Sequence, residues 1–173
     1  KDAQLTLVNT NVTNNGRSEL DRTKGDLVNA VINLINSNVA ITGGLFENNT
    51  GIYGGAIFAD GDGSQTLTVS GATFKNNKAY NGGAIDISSM ITDISDCTFD
   101  NNWVVGPGST GYYGLGGAVA TDGIGSFSLT GSNFTGNKAT GLNASAGAVS
   151  VGLDQGCPTS RSEERRVGKE CRS

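Results

Sequence analysis

The sequence has no histidine, 2 prolines, 1 methionine, 1 tryptophan and 3 cysteines among 173 residues. Without histidine there is no imidazole base, which excludes His-based triads and His-ligated metals. Three cysteines are too few for a disulfide scaffold, and Cys97 and Cys157 are too far apart for a metal-ligand pair. Each reads as a small core filler or as half of a bridge. Charged residues make up only 16% of the chain, less than a disordered chain usually carries. No stretch approaches the roughly 20 apolar residues that span a bilayer. Even residues 27–41 are interrupted by Asn29, Asn33, Asn36 and Asn38.

What is abundant is 27 Gly and 18 Asn, both poor helix formers, in a Ser/Thr-rich background. Glycine does not recur at every third position, so collagen is excluded. A β protein of one domain's length remains.

An internal repeat organises it. One segment recurs as VAITGGLFENN (39–49), LTVSGATFKNN (67–77), DISDCTFDNN (93–102) and FSLTGSNFTGN (127–137), with a weaker copy at 5–15. Its core pairs an apolar residue with Asn three places on: Val12/Asn15, Phe46/Asn49, Phe74/Asn77, Phe99/Asn102 and Phe134/Asn137. A second segment alternates with it: GGAIFA (54–59), GGAIDI (82–87), GGAVAT (116–121) and AGAVSV (146–151). Successive copies are 34, 28, 25 and 35 residues apart, periods that point to a solenoid with one coil per repeat.

Period-two alternation makes both segments strands, with Val39, Ile41, Gly43 and Leu45 on one face and Ile57 with Ala59 on one face. Equivalent residues then stack about 4.8 Å apart. The Phe residues form either an internal column or an exposed ladder for sugars. The Asn residues suit bends and coil-to-coil hydrogen bonds. The pairs Gly54–Gly55, Gly82–Gly83 and Gly116–Gly117 turn the chain where a Cβ would clash.

The two ends read as cuts. The chain opens at Lys1, and 161–173 (RSEERRVGKECRS) breaks with everything before it. This tail resembles the translation of a common short-read sequencing adapter; the other readings are a basic nucleic-acid patch or a short amphipathic helix. The expected division is therefore a β-helix fragment over 1–160 and an artefactual tail over 161–173 that is not part of the fold. Without the tail, seven basic and thirteen acidic residues leave a net charge of −6, against −4 for the whole chain. Seven scattered cations offer no stripe for a phosphate backbone, so nucleic acid is not an expected partner.

Acid–base chemistry would have to come from carboxylates. Asp60 and Asp122 follow GGA strands at matching places, with Asp86 near that place in the coil between. Together they are candidates for an acid–base pair or a Ca²⁺ row, or else a solvated row of turn residues. Asp60 and Asp62, in the run DGDG, invite the same calcium reading but lack a third ligand. No cofactor is expected. Sequons at Asn11, Asn48, Asn133 and Asn143 matter only in a glycosylating cell.

The repeat spacing lengthens between Phe99 and Gly116, where Trp103, Tyr112 and Tyr113 lie in a Gly-rich insertion. Insertions leave a solenoid as loops on one face, so these aromatics form either a contact site or a lid folded on the coil.

The alternation of GGA-[ILV] with F-x-x-N over roughly 39–151 resembles the repeats of chlamydial polymorphic membrane proteins, which are autotransporter passenger domains. The resemblance is carried by Phe46, Asn49, Gly54–Ile57, Phe74, Asn77, Gly82–Ile85, Phe99, Asn102, Gly116–Val119, Phe134 and Asn137. The last copy departs at Ala146, and the first lacks Phe. The repeats count as about five coils of a single-stranded solenoid that continues into further coils of the same chain, and the resemblance implies that it is a right-handed parallel β-helix. It implies a secreted or outer-membrane-associated location and adhesion to a host or neighbouring-cell surface protein or glycan. The alternative class is a carbohydrate-active β-helix enzyme of the lyase or hydrolase type.

Overall fold

The structure, a computed structural model, describes residues 3–16, 20, 29–106, 114–141 and 144–152. Tyr112, Tyr113, Asn143, Cys157 and the 161–173 tail lie outside the described residues.

Among the described residues the chain is all-β, without a helix. It runs through β1 (Ala3–Val8), β2 (Asn11–Thr13) and β3 (Ile32–Ile35), then β4 (Ser37–Thr42), β5 (Leu45–Glu47) and β6 (Ile57–Asp60). It continues through β7 (Thr66–Ser70), β8 (Thr73–Lys75), β9 (Lys78–Ala79) and β10 (Ile85–Ser88). The next repeat holds β11 (Ile91–Ser95), β12 (Thr98–Asp100), β13 (Trp103–Val105), β14 (Gly114–Leu115) and β15 (Val119–Asp122). The last described strands are β16 (Ser126–Thr130), β17 (Asn133–Thr135), β18 (Lys138–Thr140), β19 (Ala144–Ser145) and β20 (Val149–Val151).

Each repeat adds one strand to each of three 5-stranded sheets, ordered β1-β4-β7-β11-β16, β2-β5-β8-β12-β17 and β3-β6-β10-β15-β20. Smaller sheets, β9-β13-β18 and β14-β19, fill the remaining side. The pairings are parallel and in register, as in Phe74 opposite Phe46 and Phe99. Stacked parallel sheets of this kind are compatible with a parallel β-helix or solenoid.

Two ladders hold the stack together. Phe46, Phe74, Phe99 and Phe134 stack ring on ring, with centroids 4.8, 5.0 and 4.7 Å apart. The first three are fully buried, whereas Phe134, the last of the column among the described residues, is half-buried. Beside it runs a ladder of Asn15, Asn49, Asn77, Asn102 and Asn137. The Oδ1 of Asn77 accepts from the backbone N–H (3.0 Å) and Nδ2 (3.1 Å) of Asn49, and its own Nδ2 donates to the Phe46 carbonyl (2.8 Å). Asn102 repeats this toward Asn77 and Phe74, and Asn137 toward Asn102 and Phe99. Asn49, Asn77 and Asn102 have no exposed surface, so these bonds replace water at buried amides and carbonyls.

The Asn-Asn pairs divide their work. The first member takes the left-handed backbone, with φ of 56° at Asn48, 53° at Asn76 and 54° at Asn101, and the second makes the ladder. Asn is among the non-glycine residues best suited to that region.

At the other bend, a Cβ on Gly54, Gly82 or Gly116 would collide with the carbonyl oxygen of Ile57, Ile85 or Val119 in its own repeat. A Cβ on Gly55, Gly83 or Gly117 would strike the carbonyl of Gly83, Gly117 or Gly147 in the next. Ala146 occupies the first of these positions at φ 59°. An L-residue there is strained by about 1 kcal/mol, so Ala146→Gly should raise the thermal midpoint by a few degrees in a melting scan.

The expected common face for Val39, Ile41, Gly43 and Leu45 needs correction. Val39 and Ile41 are buried in β4, but Gly43 (φ 63°) and Gly44 (φ 94°) form a bend that resets the alternation. Leu45 is thereby only half-buried and Phe46 faces the core instead. Ile57 and Ala59 do share the core face.

Candidate functional site

The acidic candidates lie on the sheet that contains β6, β10 and β15. Register places Ser88 between Asp60 and Asp122, so those carboxylates belong to strands two spacings apart, about 9–10 Å. Asp86 is not in that row, which corrects its expected place. Because Ile85 aligns with Ile57 and Val119, Asp86 aligns with Phe58 and Ala120, two residues earlier.

Asp86 is buried, 7% exposed, although the flanking Ile85 and Ile87 already occupy the core side. Burial pushes its carboxyl well above the usual range, and the negative charge of Asp122 adds to the shift. A backbone hydrogen bond from Ile87 acts in the opposite direction. A buried carboxyl with a like charge on the neighbouring strand is the pattern that marks a candidate functional group.

The folded state therefore holds the Asp86 proton more tightly than the unfolded chain does. The resulting stabilisation is complete below the unfolded value, near pH 4, and is lost as pH rises through the folded value. Thermal midpoints should fall across that window, and Asp86→Asn should flatten that part of the profile. An unchanged profile in the variant would assign the pH dependence to another group.

Asp62 is engaged within its own turn. Its Oδ1 accepts from the Ser64 hydroxyl (2.6 Å) and the Ser64 N–H (3.0 Å), and its own N–H donates to Gln65 Oε1 (2.8 Å). The Ser64 hydroxyl bond is the main cause holding the Asp62 carboxyl below its usual range. Asp60 and Asp62 thus flank a tight polar turn. Among the described residues, no three Asp, Glu or Cys side chains group as a metal site.

Trp103, expected in an inserted loop, lies in strand β13. It stands in register with Lys78 of β9 and Lys138 of β18, and the next residue along β13, Val104, is the one that is fully buried. The Lys78 ammonium lies 4.5 Å and the Lys138 ammonium 4.4 Å from the indole ring centroid. The indole Nε1–H donates to Thr140 Oγ1 at 2.6 Å. The ring is therefore pinned at its edge and flanked by cations from both neighbouring repeats.

The two lysines were not singled out from the sequence, yet a signal existed. Lys78, Trp103 and Lys138 each directly follow a ladder asparagine, Asn77, Asn102 and Asn137.

Cys97 is a buried free thiol near the Ser95 and Val69 carbonyls, and burial raises its pKa. It fills core volume. No helix among the described residues is long and apolar enough to cross a membrane. No protein-family model, curated protein or solved structure matches this chain.

Proposed function

We propose that the chain is a right-handed, single-stranded parallel β-helix of about five coils. In this reading it serves as a non-catalytic adhesion or stalk module of a secreted or surface-anchored protein, bearing repeats of the polymorphic membrane protein type. Its partner is a host or neighbouring-cell surface protein or glycan.

The observation that carries this reading is how the repeat is used. Its most regular positions are spent on stacking, in the Phe column and the Asn ladder, and each added repeat extends the outer surface by one strand spacing. The described cations, Lys75, Lys78 and Lys138, lie on β8, β9 and β18, not on the sheet that carries Asp60, Asp86 and Asp122.

One observation favours the second reading, a carbohydrate-active enzyme: the buried Asp86 shares a sheet with Asp122, whose negative charge adds to the rise of its carboxyl. The two readings separate in one experiment. Beads carrying the chain are tested for retention on cell surfaces, and the soluble chain for cleavage of polysaccharides. Retention without cleavage is expected. Cleavage that disappears in Asp86→Asn or Asp122→Asn, without retention, would replace adhesion by catalysis.

A further inference from the structure

We propose that the Lys78–Trp103–Lys138 column is a binding site for an acidic polysaccharide laid along the stacking direction of the strands. The proposal rests on the adhesion reading and names the ligand class for one face of the module.

Three features of the column converge on that ligand. Lys78 and Lys138 belong to strands on either side of β13, so their ammoniums cover opposite faces of one indole. They are thus held apart by roughly two strand spacings, about 9 Å. Trp103 is fixed through Thr140, which holds both cations in place before any ligand arrives and lowers the entropy lost on binding.

Neither ammonium has a carboxylate within ion-pairing distance among the described residues. The nearby Lys75, by contrast, is paired with Glu47 at 3.9 Å.

Two residues before Lys78 and Trp103 stand the exposed Asn76 and Asn101. Their amides carry donors and acceptors suited to sugar hydroxyls, the Asn101 Nδ2 already donating to Asp100 Oδ1 at 2.8 Å. A uronate- or sulfate-bearing chain supplies anions on recurring units together with those hydroxyls. A nucleic-acid backbone would need a longer basic stripe, and Asp100, between Lys75 and Thr135 in the adjoining sheet, interrupts one.

The test is titration calorimetry of the full chain with polygalacturonate and with dextran sulfate, using neutral dextran and polyglutamate as controls. Binding to at least one acidic polysaccharide, weakened by salt, is expected. Lys78→Gln and Lys138→Gln should each weaken it about tenfold, the loss of one charge-assisted contact. Lys75→Gln should leave it unchanged, and circular dichroism should show all three variants folded.

Absence of binding to both acidic polysaccharides, or equal affinity in the two column variants, would overturn the site. Equal affinity for polyglutamate would overturn the ligand class. A chain that is retained on cells but indifferent to these polysaccharides keeps the adhesion reading and loses this site. A chain that fails to be retained on cells loses the adhesion reading itself.

Discussion

Asn77→Ala should destabilise the protein by about 1–3 kcal/mol, although it removes a polar side chain from a buried place. The change leaves the buried Asn49 N–H without its acceptor, takes one of two acceptors from the Asn49 Nδ2, which still donates to the Val12 carbonyl, and takes a donor from the Phe46 carbonyl. It also takes a donor from Asn102 Oδ1. Each orphaned buried group costs about 1–3 kcal/mol, and none can reach water because Asn49, Asn77 and Asn102 are fully enclosed. Urea unfolding of both proteins measures the difference. A loss below 1 kcal/mol would mean that the ladder is a bystander.

Phe74→Ala should cost roughly 3–5 kcal/mol. Phe74 has rings on both sides, 4.8 Å from Phe46 and 5.0 Å from Phe99, and no exposed surface. Parallel strands on either side fix the backbone, so the cavity cannot close by collapse. Phe134→Ala should cost less, because that ring is half-buried and, among the described residues, stacks on Phe99 alone. Equal losses at the two positions would contradict the difference in burial between the two rings.

The ladders were legible because each uses one residue type at one position in every repeat. Burial of equivalent residues at fixed spacing imposes the same chemistry on each, and the pattern survives insertions of different length between copies. The Gly pair was legible for the same reason, since the colliding atoms are backbone carbonyls present in every repeat.

Features that do not repeat were harder to read. The column at Trp103 changes residue type at every level, from Thr50 to Lys78, Trp103 and Lys138, and its strands are only two or three residues long. A lone aromatic beside a Gly-rich insertion therefore looked like loop. The burial of Asp86 depends on what surrounds the outer side of β10, which no local pattern encodes. The resetting of alternation at Gly43 was hidden because a strand and a glycine bend share the same small residues. Among the acidic candidates, spacing in sequence placed Asp86 near Asp60 and Asp122, but register decided the row.

A distance measurement decides the register itself. The outward positions Thr6, Ala40, Thr68, Asp93 and Ser128 are consecutive partners across β1, β4, β7, β11 and β16. Thr6 and Ser128 are thus four strand spacings apart, about 19 Å. Spin labels placed on these two positions, in a chain whose cysteines have been replaced, allow the separation to be read by pulsed dipolar spectroscopy. A narrow distribution near 20 Å, widened only by the label arms, is the predicted result. A broad distribution centred beyond about 30 Å, as in an unfolded chain, would contradict the stacked parallel sheets and everything built on them.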